Sequence, residues 1–157
     1  MAGRKRRGDM PAADTLPECV CGVLRTVTRA ITQIYDDAMR PVGLRITQYG
    51  LLARISRLQP VSATRLVDAL HADQTTLARA LKLLEADGLV RRVAHADRRQ
   101  KRIALTPVGE RKLGEARKLW SVAQSRVVAL IGERQWRDTR GRLGGLLRAV
   151  AKESRAA

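Results

Sequence analysis

Residues 89–109 read LVRRVAHADRRQKRIALTPVG, and the parsing of this run decides the fold. Arg98, Arg99, Lys101 and Arg102 put four cations into five positions, after which the chain turns at once to the apolar IAL and to Thr106-Pro107. A charge run is ordinarily a solvated face or a loose tail. Here LVRRV (89–93) and KRIAL (101–105) flank it as short β-branched segments, so the stretch reads as a two-stranded ribbon with a basic tip. Thr106-Pro107 then marks a helix start, because proline's fixed φ and missing N–H suit the first helical position. A cationic tip held within folded structure implies a negatively charged partner.

Upstream, QTTLARALKLLEADG (74–88) spaces Leu77, Leu81 and Leu84 for one buried helix face and stops at Gly88. Before it, the turn HAD (71–73) follows a helix in which Ser62 is the N-cap and Leu66, Val67 and Leu70 point inward. A further helix runs from about Thr47 to Arg57, burying Leu51, Leu52 and Ile55. Earlier still, Val20, Val23, Leu24, Val27, Ile31, Ile34 and Ala38 recur every three or four residues, which predicts one long amphipathic helix ending before Pro41 and Gly43. Thr15 and Glu18 stand at capping-box spacing at its start, with Pro17 in the first turn.

Downstream, the helix opened by Pro107 carries Leu113, Ala116, Trp120, Ala123, Val127 and Leu130 on one stripe, and Gly132 interrupts it. A last helix presents Trp136, Leu143, Leu146, Leu147 and Val150. Residues 1–14, with Arg4, Lys5, Arg6 and Arg7, read as a basic flexible tail. The expected fold class is mainly α with a small β-hairpin wing, a single protomer over residues 15–157.

Composition agrees. With no Phe and 3% aromatic residues, the core must be built from Leu, Val, Ile and Ala, which favours packed helices over a sandwich. A net charge of +16 points first to nucleic acid and second to an anionic membrane surface. No stretch approaches the roughly 20 apolar residues of a membrane span, and the N-terminal RKRR lacks the apolar run of a signal peptide. The expectation is a cytoplasmic protein with no membrane partner. Two closely spaced cysteines do not make a secreted disulfide framework.

Two short helices joined by a tight turn and followed by a hairpin form the order of a winged helix-turn-helix. The second helix of such a pair can enter the major groove of DNA. Its first turn and outer face offer Gln74, Thr75, Thr76, Arg79 and Lys82. Gln can pair with adenine, Thr can touch a thymine methyl, and Arg can grip guanine through two hydrogen bonds. The hairpin tip would bring Arg98, Arg99 and Lys101 beside the adjacent minor groove, where narrow A·T tracts attract cations.

On these residues the chain resembles the MarR family of bacterial winged helix-turn-helix transcriptional regulators. GLRITQYGLL (43–52), TLARALKLLEADGLVRR (76–92) and above all DRRQKRIALTPVG (97–109) carry the resemblance, which extends over nearly the whole chain after residue 17. It implies that Asp97 orients Arg99, that Arg99 contacts DNA, and that Arg79 stands where the family has an arginine in its recognition helix. The chain departs from the family's habits at Ala78, Arg65 and Arg45, where a hydroxyl residue, Glu and a hydroxyl residue are usual. The resemblance further implies a homodimer on a palindromic operator. Residues 45–107 would form the DNA-binding part, and residues 15–40 and 107–155 the dimerisation helices. The near-heptad stripe from Trp136 to Val150 independently suits a helix partner.

Cys19 and Cys21 leave two readings open. They are small hydrophobes at a dimer interface, or candidate redox residues whose thiols gain thiolate character at a helix N-terminus. A disulfide between positions i and i+2 would strain a helix, and a shared four-thiolate metal site has no neighbouring histidine. Trp120 and Trp136 are core residues or line the cleft between the two parts of the protomer. His71 and His95 are exposed turn residues with no catalytic or metal pattern, so neither an enzyme nor a cofactor is expected. The function expected is a dimeric, sequence-specific DNA-binding regulator, a repressor released by a small-molecule effector or by thiol oxidation. The alternative is an architectural DNA- or RNA-binding protein without sequence preference.

Overall fold

The computed structural model describes residues 18–94 and 101–156. In chain order these form α1 (Val20–Met39), a 3₁₀ turn (Arg40–Val42), α2 (Ile46–Leu58), β1 (Val61–Ser62), α3 (Ala63–Leu70), α4 (Gln74–Ala86), β2 (Val90–Val93), β3 (Arg102–Leu105), α5 (Pro107–Ile131) and α6 (Glu133–Ala156). The fold is mostly helical with a small antiparallel wing, as the sequence predicts.

The wing is not a two-stranded ribbon. The strand order is β1-β3-β2, with Val61 opposite Ile103 and Val90 opposite Leu105, so β3 is the central strand. A two-residue strand shows no alternation of its own. Val61 is pulled into the sheet because its fully buried side chain joins the core with Ile103 and Leu66.

Apolar side chains from α2 through β3 close that core. Leu52 and Ile55 of α2, Leu66 of α3, Leu84 of α4 and Leu89 before β2 are all essentially excluded from solvent, and Leu113 of α5 packs among them. Burying each such side chain contributes about 1.5–3 kcal/mol, so α2 through β3 pack as one unit, the head, whose core also takes in Met39 of α1 and Ala116 of α5. The long helices form a frame with a smaller core around Tyr35, Ala123 and Val127.

The helix starts follow their caps. Ser62 Oγ accepts the Arg65 amide at 3.2 Å and caps α3 without a carboxylate at position 65. Thr106 Oγ1 accepts the Gly109 amide at 3.0 Å and opens α5 at Pro107. Arg45, at the N-cap of α2, has no acceptor in its side chain. Gln48 Oε1 instead takes the Arg45 amide at 2.9 Å.

One further expectation needs correction. The first helix begins at Val20 with Cys19 at its N-cap, while Thr15 and Pro17 lie outside the described residues. Leu130, on the stripe of the Pro107 helix, is 72% exposed, while Val127 is buried and Ile131 packs against the core around it. Among the described residues, no helix is long and apolar enough to cross a membrane.

Candidate nucleic-acid interface

The two-helix unit is built by its turn. His71 ends α3 in the left-handed region (φ 49°), the conformation that lets the chain reverse in the short His71-Ala72-Asp73 link. Asp73 then caps α4, its Oδ1 accepting the Thr76 amide at 2.7 Å. Hydrogen bonds from the Thr76 side chain and backbone hold the Asp73 carboxyl below its usual range. Leu77, Leu81 and Leu84 fix the inner face of α4.

The outer face is therefore determined as well. Thr75, Arg79 and Leu83 follow at four-residue steps, with Thr76 and Lys82 beside them, and all five are exposed. Leu83 is 61% exposed, an apolar residue on this face that the sequence reading passed over. Gln74 sits to one side of this row. Together with Ala78 it borders a cleft of about 270 Å³ between the helix pair and the sheet, opposite Thr64, Arg92 and Lys101.

Arg92 is the second residue the sequence reading missed. Its guanidinium meets the Glu85 carboxylate of α4 at 2.7 and 3.3 Å, tying the base of the wing to the last turn of that helix. The hydrogen bonds and charge of Glu85 raise the Arg92 pKa. Arg92 stands opposite Ile103 in the strand register, and its bond to Glu85 depends on β2 folding back along α4. Lys101 is exposed immediately before β3. Asp97, Arg98 and Arg99, with His95, lie outside the described residues.

Away from this surface, Cys19 and Cys21 are free, exposed thiols. Cys19 has extended backbone (φ −66°, ψ 123°), and Cys21 lies in the first turn of α1. Cys21 lines an apolar groove between α1 and α6 with Leu24, Leu143, Leu147 and Val150. The described residues contain no group of three or more His, Cys, Asp or Glu placed to hold a metal ion.

Comparison with known proteins gives the same reading of the helix pair. The MarR family model matches residues 44–101. The transcriptional regulator MosR of Mycobacterium tuberculosis, solved in complex with DNA, is 38% identical and superposes with a TM-score of 0.77, over 86% of this chain and 98% of that one. A second crystal structure of M. tuberculosis MosR is matched at 35% identity and a TM-score of 0.75, over 87% of this chain and 98% of that one. An uncharacterised HTH-type transcriptional regulator of Bacillus subtilis, YwoH, is 29% identical over 87 residues. That match takes in 55% of this chain and 64% of YwoH, less than two thirds of the relative's length.

Proposed function

The chain belongs to the MarR family of winged-helix transcriptional regulators, and from that premise we propose that it binds a palindromic DNA operator as a homodimer and represses transcription until an effector releases it. The observation that carries this reading is the outer face of α4. Thr75, Thr76, Arg79 and Lys82 stand exposed together on a helix whose opposite face is locked into the head core. A helix of this size fits the major groove, and these side chains are suited to base edges and phosphates. Lys101 supplies the described end of the wing, and Arg98 and Arg99, with Asp97 as the orienting acid, are assigned to its tip.

The dimer reading rests on apolar surface that the protomer leaves uncovered. Val20 (61%), Leu147 (49%) and Val150 (55%) are exposed on α1 and α6, along with Leu143 and Leu146. A partner's helices would cover this stripe and set two heads at half-sites about 10–10.5 base pairs apart. In this reading residues 45–107 are the DNA-binding part, residues 15–40 and 107–155 the dimerisation helices, and residues 1–14 a basic tail.

Release follows if an effector favours a dimer whose recognition helices no longer match that spacing. A small ligand is one effector. Thiol oxidation is favoured by a separate observation: both cysteines are exposed, and Cys21 lines the groove assigned to the dimer.

Selection from a random duplex pool by the reduced protein, repeated after mild peroxide, tests these steps. A palindromic consensus supports the operator reading, and its thiol-reversible loss on oxidation supports sensing by Cys19 and Cys21. A consensus indifferent to peroxide leaves a small ligand as the effector. The absence of any consensus favours the architectural reading.

A further inference from the structure

Two consecutive residues of α1 hold two different bodies. Tyr35 Oη donates to Gln124 Oε1 of α5 at 2.5 Å, and its ring packs with Ala123 and Val127. It therefore fixes α1 to the frame. Asp36, one position on and about 100° around the helix, turns to the head. Its Oδ1 accepts the amide of Ile46, the first residue of α2, at 2.8 Å, and its Oδ2 lies 3.5 Å from Arg45 Nη1.

The amides of a helix's first turn have no partner within the helix, and a carboxylate there is favoured by the helix dipole. This cap is supplied from another helix, ten residues away in sequence. Since α2 shares its core with α3, α4 and the sheet, a displacement of its first turn carries the recognition helix with it. Among the described residues, Tyr49 stacked on Trp120 and Gln59 bonded to Glu110 link the head to α5, and Met39 of α1 is buried in the head core. Asp36 adds a polar tie from α1 that reaches the first turn of α2.

We propose that Asp36 is a positioning residue that transmits the placement of α1 on the frame to the head, and so sets the separation of the two recognition helices in the dimer. This inference rests on the dimeric operator reading above.

The test measures binding to duplexes carrying the selected half-sites at spacings varied one base pair at a time. The wild-type chain prefers one spacing. Asp36→Ala is expected to lower that preference about fivefold, the factor equivalent to one lost N-cap, while affinity for an isolated half-site stays unchanged. Asp36→Asn keeps an acceptor for the Ile46 amide and restores the preference. Should Asp36→Ala fail to fold, Asp36→Glu serves instead, its longer arm moving the preferred spacing. An Asp36→Ala or Asp36→Glu chain with the wild-type spacing profile overturns the inference, whatever its melting temperature. A wild-type chain that binds the selected sequence with no spacing preference overturns the dimeric reading itself, and this inference with it.

Discussion

The carbonyl oxygen of Leu89 lies 2.0 Å from where a Cβ would stand on Gly109. The start of α5 thus presses directly on the backbone that leads into β2, and only glycine fits. Thr106 reinforces the contact: its amide donates to Leu89 O at 3.1 Å and its hydroxyl to Gly88 O at 2.6 Å. This is the physical content of the Thr-Pro-x-Gly run that closes the sequence stretch quoted first. It joins the wing to the frame through backbone.

Gly109→Ala is therefore expected to destabilise the protein by about 3 kcal/mol, the upper end of overpacking costs, because the obstructing atom is backbone. Chemical denaturation of the purified variant measures it. An unchanged midpoint would mean that α5 can shift away from Leu89 freely.

Acid should act on the cap of α4. The Asp73 carboxyl is held below its ordinary value of 3.8 by its bonds from Thr76. A depressed folded-state pKa contributes stability that is complete above the unfolded value and is lost as pH falls through the folded one. Melting temperatures of the wild-type chain and Asp73→Asn are expected to agree at neutral pH, because Asn also caps. Below about pH 4 the wild type should lose stability that the variant does not. Parallel curves across the acid range would contradict this.

Removing Glu85 should cost little stability. The pair with Arg92 lies at the surface, 55% exposed on the Arg92 side and 26% on the Glu85 side, and surface pairs are worth about 0.2–1 kcal/mol. Glu85→Ala is expected to melt within a few degrees of wild type, with the difference shrinking in high salt. A loss above about 2 kcal/mol would identify the bond as a structural support of the wing rather than a surface tie.

Arg79 and Lys82 occupy the same face of α4 but should behave differently. Arg79→Ala is expected to weaken operator binding by about 1–3 kcal/mol and to relax selectivity at one base position. Lys82→Ala is expected to weaken all duplexes alike and to reduce the salt slope by about one. Binding titrations on operator and single-base variants at several salt concentrations separate the two. Equal, sequence-independent losses would place both residues on phosphate.

The helical part of this architecture was legible because leucine periodicity fixes both the existence of a helix and its buried face. Leu77, Leu81 and Leu84 alone determine which residues of α4 face outward. Features depending on distant partners were not legible. Val61–Ser62 is too short to display a strand period and is recruited by Ile103. Asp36 reads as one more polar residue of an amphipathic helix until α2 is folded against it. Leu130 belongs by period to the α5 stripe, yet it is 72% exposed in the protomer.

The most direct measurement is the ratio of affinities for the selected palindrome and a scrambled duplex of equal length, at one fixed salt concentration near physiological. A MarR-type reader with the α4 face assigned here should prefer its operator by about 10³-fold or more. A ratio near one, with strong binding to both, would contradict sequence reading and make the basic surface a general DNA-coating one.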